Sequence, residues 1–187
     1  MERERAEEIL KKYITTEHIL KHSFAVEAVM RALAEKIQPD EIEYWGITGL
    51  LHDLDTDTVD WKSDASLHGP GTIEILKKEN FGDEEMYHAI LAHNEETNVP
   101  RNSTLDKALY AADPITGFIT AIALVYPDKK VKSVKIKSVT KRMKEKRFAA
   151  GANREAMRSI ENLGIEFPEF CELSLRAMSK ISDSLGL

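Results

Sequence analysis

Gly49-Leu50-Leu51-His52-Asp53 closes an apolar run that begins at Trp45. Ile42, Trp45, Gly49 and His52 recur at three- and four-residue steps, so the run reads as one helix face with an imidazole and a carboxylate at its end. Neither group is comfortable in an apolar interior without a partner. A metal ion is one such partner, because it accepts an imidazole nitrogen and a carboxylate side by side. A lone His-Asp pair occurs often by chance. Here His22, His68, His93 and Asp113 stand around it in the chain, and the whole set decides the reading.

Outward from this run the apolar spacing is helical almost everywhere, so the chain is read as all-α, a helical bundle with C-terminal helices packed on it. Glu2 to Tyr13 reads as a first, surface helix. Thr15 and Thr16 are candidate caps for a second, from about Glu17 to Ile37, whose apolar face carries Ile19, Val26, Met30, Leu33 and Ile37. His22 falls on that face. Pro39 and Asp40 open a third helix, Glu41 to about Leu54. The polar stretch 54–67 reads as a loop, with Asp55, Asp57 and Asp60 as solvated charges. His68 precedes a helix from about Thr72 to Lys78, and Glu84 to about Asn94 is the next, with Met86, Ile90 and His93 on one face. Ser103 or Thr104 caps a further helix that reaches Asp113 and continues, after a kink at Pro114, to Val125. Val131 to Val139 alternates Val or Ile with Lys and Ser, which suits a short strand or an extended arm. Ser138–Phe148, Asn153–Leu163 and Pro168–Leu185 have helical patterns, separated by Gly151 and Gly164. The expected organisation is a single domain over residues 1–187, with a core at about 15–125 and a C-terminal helical extension at about 138–187.

A chain of 187 residues can bury a real core. With 42% apolar and 31% charged residues it is a folded rather than a disordered sequence. No apolar run is expected to approach a membrane span of roughly 20 residues. The charged N-terminus lacks the apolar centre of an export signal. The single Cys171 rules out an internal disulfide framework and reads as a small core residue, so the expected location is cytoplasmic. The net charge of −6 is uneven: Lys129 to Arg147 holds ten basic residues and one acid, a local charge of +9 in a remainder near −15. Such a segment suits something anionic.

Separations of 30, 16, 25 and 20 residues link His22, His52, His68, His93 and Asp113. These are too wide for a zinc finger and correspond to one ligand per helix or loop of a bundle. Imidazole and carboxylate together suit Fe, Mn, Zn, Ni or Co over Ca or Mg.

The order His, His-Asp, His, His, Asp resembles the HD superfamily of metal-dependent phosphohydrolases, over about His18 to Thr120. The resemblance implies that His22, His52, Asp53 and Asp113 bind one metal. It also implies that, as in binuclear members, His68 and His93 bind a second, with Asp53 bridging. Leu67-His68-Gly69, Ala89-Ile90-Leu91-Ala92-His93 and Tyr110-Ala111-Ala112-Asp113 look like the bacterial members that split diadenosine tetraphosphate. Leu54-Asp55-Thr56-Asp57 follows the doublet where the HD-GYP phosphodiesterases carry a Lys and a Gly-Tyr-Pro signature, which argues against cyclic-di-GMP. Asn94-Glu95-Glu96 differs from the tetraphosphate hydrolases, so their specificity does not transfer. The implied activity is hydrolysis of a nucleotide or other small phosphoester, with His52 and Asp53 at the catalytic centre and one or two divalent transition metals as cofactor. Lys141, Arg142 and Lys144, near one helix face, are candidates for holding the phosphate. Glu95 or Glu96 could accept a proton near the site. Two other classes share the pattern: an oxygen-activating di-iron HD protein, and a nucleotide- or RNA-binding module with a structural metal.

Overall fold

The computed structural model describes residues 2–187, and every described element is helical. The order is α1 (Arg3–Tyr13), α2 (Glu17–Ile37), α3 (Ile42–Leu51), α4 (Pro70–Lys78), α5 (Glu84–His93), α6 (Thr104–Val125), α7 (Ile136–Arg142), α8 (Arg154–Arg158), α9 (Phe167–Lys180) and α10 (Ser182–Leu185). The expected boundaries of the first six lie within a few residues of these.

Two apolar clusters carry the fold. The larger gathers α2, α6, α7 and α9 around Val26, Met30, Leu33, Phe118, Ile119 and Phe170. The smaller joins α1, α3, α4 and α5 through Ile9, Leu10, Ile47, Leu50, Leu76 and Ile90. Trp45, Phe118 and Phe170 are fully buried. Truncating such a side chain to Ala costs about 3–5 kcal/mol, because the cavity left behind collapses only in part. Glu27 is buried in α2 and would be costly unpaired. Arg3 from α1 and Arg31 one turn along meet its carboxylate at 2.6 and 2.9 Å.

The seam between the two clusters is where α2 crosses α3. A Cβ at Gly49 would lie 2.8 Å from Met30 Cγ and 3.1 Å from the Val26 carbonyl oxygen, so the absence of a side chain there sets how closely the helices approach. Gly117 in α6 has open space around it. Gly49→Ala should therefore lose about 1 kcal/mol net, overpacking outweighing the helix-propensity gain. Gly117→Ala should gain up to about 1 kcal/mol. Chemical denaturation of the two variants checks the opposite signs.

α6 begins with a reciprocal cap. Ser103 Oγ accepts from the Asp106 N–H, and Asp106 accepts from the backbone N–H groups of Asn102 and Ser103. The helix runs on through Pro114 to Val125 without a break. Pro114 supplies no N–H to the Tyr110 carbonyl, which loosens the ladder beside Asp113. At 22 residues α6 is long and apolar enough to cross a bilayer, against the expectation that no such run exists. Most of that span is buried inside the fold, as in the core helix of a globular protein.

One other expectation is corrected. Val131–Val139 forms a 3-10 turn and α7, with no strand. Val131, Val134, Val139 and Met143 fall on one buried stripe, and packing against α9 selected the helical period over the alternating one. Asp57 is an exposed loop charge, as expected, and it also accepts from both N–H groups and both hydroxyls of Thr15 and Thr16, at 2.8 to 3.3 Å, so it pins the entry to α2. Cys171 is fully buried, as expected of a core residue. Burial pushes its thiol up to about 12.

Candidate metal centre

Six side chains from five elements converge at the seam. His22 stands on the second turn of α2, His52 and Asp53 at the C-terminal end of α3, and His68 just before α4. His93 is the last residue of α5, and Asp113 lies mid-way along α6. His22 Nε2 lies 3.0 Å from Asp113 Oδ1 and 3.5 Å from Asp53 Oδ2. His52 Nε2 lies 3.1 Å and His68 Nε2 3.2 Å from Asp53 Oδ1, with His93 Nε2 at 3.7 Å from the same oxygen. The Nε2 atoms of His68 and His93 are 3.0 Å apart. All six residues read from the sequence are thus brought together.

Each imidazole has its other nitrogen committed. His52 Nδ1 meets the Gly49 carbonyl at 2.8 Å, and His93 Nδ1 meets the Ile90 carbonyl. Both carbonyls are acceptors only, so these rings carry their hydrogen on Nδ1. His68 Nδ1 lies 2.7 Å from the Asp55 carboxylate, another acceptor. His22 Nδ1 is 3.2 Å from Thr116 Oγ1, whose hydroxyl donates to the Asp113 carbonyl and is left to accept from the ring. Four Nε2 lone pairs and two carboxylates therefore face one small volume. His52 Nε2 is wholly buried with no hydrogen-bond donor to satisfy it. Lone pairs as close as those of His68 and His93 repel unless positive charge lies between them. The donor set thus fits a cation, and its ligand atoms fall in three overlapping groups, each within 4.8 Å: His22-His52-Asp53, His52-His93-Asp113 and Asp53-His68-His93.

The electrostatics agree. Burial disfavours charge on His68, but hydrogen bonds to Asp53 and Asp55 outweigh it and lift its pKa to about 10. His52 is raised in the same contest between burial and the neighbouring carboxylates. Burial pushes Asp53 and Asp113 up, yet the surrounding imidazoles carry both well below the usual carboxylate range. The volume holds positive charge strongly, whether protons or metal supply it.

Asp55 is not the solvated loop charge expected. It is fully buried, and it accepts from the Gly69 N–H at 2.7 Å, the Thr72 N–H at 3.0 Å and His68. Gly69 reaches this position with φ +97°, a conformation that side chains resist. A carboxylate behind a ligating imidazole fixes its tautomer and orientation. The available signal was its place three residues after His52, beside a Gly-Pro-Gly-Thr helix start. Thr116 and Asn94 were likewise missed. The Asn94 amide donates to the Ala65 and His68 carbonyls and ties the His68 turn to the end of α5. His18 is exposed, as expected, and half-exposed His88 pairs with Asp106 at 3.1 Å.

The centre opens into two cavities. One, of about 590 Å³, is the more polar of the two, with Asn94, Glu95, Glu96, Tyr110 and Asn153 beside the cluster. Glu95 accepts from the Tyr110 hydroxyl. The other, of about 580 Å³, is largely apolar. Lys141, Arg142 and Lys144 line neither, which corrects the expectation that they border the site. Val139 and Met143 face the core, so Lys141 and Lys144 point outward, and Arg142 pairs with Glu145 at 2.6 Å. The following loop walls the polar cavity with Ala149, Ala150, Gly151 and Ala152. Arg154 shapes that loop by donating to the carbonyls of Met143, Glu145, Phe148, Ala149 and Ala152.

Comparison with curated proteins and with solved structures gives no match. A family model, the HD domain of a superfamily made up mostly of divalent-metal-dependent phosphohydrolases, matches residues 19–117, and because that match spans more than half of the 187 residues, this chain belongs to the HD-domain family.

Proposed function

We propose that this protein hydrolyses a small phosphoester at the His22-His52-Asp53-His68-His93-Asp113 centre, with two divalent transition metals as cofactor. The observation that carries the reading is the set of four imidazoles, each with Nδ1 committed and Nε2 turned to two carboxylates. When bound, divalent ions neutralise an anionic ester and lower the pKa of a water to near neutrality. The chain's own part is to place them. His22, His52, Asp53 and Asp113 would hold one ion, and His68, His93 and Asp53 the other. Asp53 suits a shared ligand because its Oδ2 faces His22 while its Oδ1 faces His68 and His93. Asp55 holds the hydrogen on His68 Nδ1, and Thr116 orients His22. Glu95 and Glu96 line the cavity beside the centre and would take a proton from an attacking water.

Elemental analysis of purified protein, followed by a phosphoester panel with each candidate metal, tests the reading. Up to two metals per chain and metal-dependent phosphate release are expected. A protein that neither contains nor takes up metal, or that is loaded and cleaves nothing, ends the proposal.

A further inference from the structure

The two cavities share His22, His68 and Gly117 but differ in chemistry. The polar one carries Glu95 and Glu96 and has no Lys or Arg in its wall. The other reaches Asp53 and is otherwise walled mainly by Ile19, Trp61, Leu124, Leu185 and Leu187. Lys21 is the one Lys or Arg that lines it, and its ammonium is held by Glu17 at 2.7 Å. Four large apolar side chains are exposed among the described residues: Trp61, Leu67, Leu124 and Val125. Two of them, Trp61 at 37% and Leu124 at 51% exposure, stand in this cavity. Apolar surface gathered at the mouth of a cavity beside a reactive centre marks a ligand site. The Trp61 indole is anchored by its N–H to the Thr56 carbonyl at 3.3 Å.

Resting on the phosphoester reading above, we propose that this apolar cavity receives the leaving group, and that the substrate is a phosphate monoester of an alcohol bearing a flat apolar group. The charge distribution sets the phosphate count. One phosphoryl group is met by the centre and by Lys21. Further phosphates in the polar cavity would face Glu95 and Glu96. In the apolar one they would trade water for a wall with few side-chain donors, His18, Thr56 and Thr120 besides Lys21. A polyphosphate chain therefore has no place to lie, whereas a planar group covers Trp61 and Leu124. In the reaction the water oxygen bonds to phosphorus and the phosphorus–oxygen bond to the alcohol breaks. One water proton ends on the alcohol oxygen, and inorganic phosphate is the second product. Trp61 and Leu124 act as specificity residues and touch only the leaving group.

The test compares naphthyl phosphate, a nucleoside 5′-monophosphate, glycerol phosphate and ATP on metal-loaded wild type and on Trp61→Ala/Leu124→Ala. Wild type should favour flat monoesters over glycerol phosphate by about 10–200-fold in kcat/KM and disfavour ATP. The double variant should raise KM for the flat esters by about tenfold or more and leave glycerol phosphate within about twofold. The two flat esters separate a nucleoside from a simpler aromatic alcohol. Calorimetric titration of naphthol into chelator-stripped protein reads the cavity without turnover, with binding expected in wild type and not in the variant. Glycerol phosphate or ATP cleaved as well as the flat esters, with the variant unchanged, would overturn the cavity assignment and leave phosphohydrolysis standing. Naphthol binding lost in the variant, with no ester cleaved, would support the cavity and overturn phosphohydrolysis.

Discussion

Asp53→Ala should strip the centre of metal and lower phosphoester turnover by about 10³-fold or more. No other residue in the cluster faces so many ligand atoms: Asp53 lies within 3.7 Å of the Nε2 atoms of His22, His52, His68 and His93. Its removal takes a donor from both groups at once, and half the negative charge that attracts cations. His68→Ala or His93→Ala should be milder in metal content, lowering the stoichiometry from two towards one, because each is assigned to only one of the two proposed ions. The helical core should survive, since Leu50, Leu51 and Leu54 keep their burial without the carboxylate. Elemental analysis, turnover and circular dichroism on the same preparations decide the matter. An Asp53→Ala protein that stays folded and keeps full metal and full rate would refute the assignment.

Asp55→Ala should be the most damaging change outside the six. The carboxylate satisfies two buried backbone N–H groups, of Gly69 and Thr72, and His68 Nδ1. Leaving buried donors unpaired costs about 1–3 kcal/mol each, so a loss of about 3 kcal/mol or more in stability is expected. Asp55→Asn is the informative partner. Its amide oxygen still accepts from His68, but its NH2 faces the donors of Gly69 and Thr72, so only part of the network remains. Asn should keep the fold and lose about 10–100-fold in metal affinity or activity, the usual effect of disturbing a group behind a ligating imidazole. Metal titration alongside thermal melting separates the two losses. Equal metal affinity in wild type and in both variants would show that Asp55 serves only the α4 turn.

The helices were legible in the chain because their cause is local. Three- and four-residue apolar spacing, Ser103 or Thr104 as a cap and the Pro39 start are short-range signals. The structure places elements close to where they fall. The strand-like reading of 131–139 failed because two periods fitted the same residues, and contact with α9 chose between them. Asp55 was misread because its partners lie 13 to 17 residues away, across a loop that sequence spacing does not measure. The basic segment was misplaced for the same reason. Its charge is a property of composition, while its direction follows from Val139 and Met143 turning inward.

By itself, then, the amino-acid order determined an all-α chain of the HD family and named six side chains able to ligate metal. Residue type and periodicity are written in the chain. Tertiary structure alone decided which oxygen of Asp53 faces which imidazole, which nitrogen of each ring is spent on a second partner, and that one cavity is acidic while the other is apolar. Those follow from the close crossing of α2 and α3 at Gly49 and from the packing of α5 and α6 beside it. That packing sets distances between residues tens of positions apart, and no local pattern encodes them.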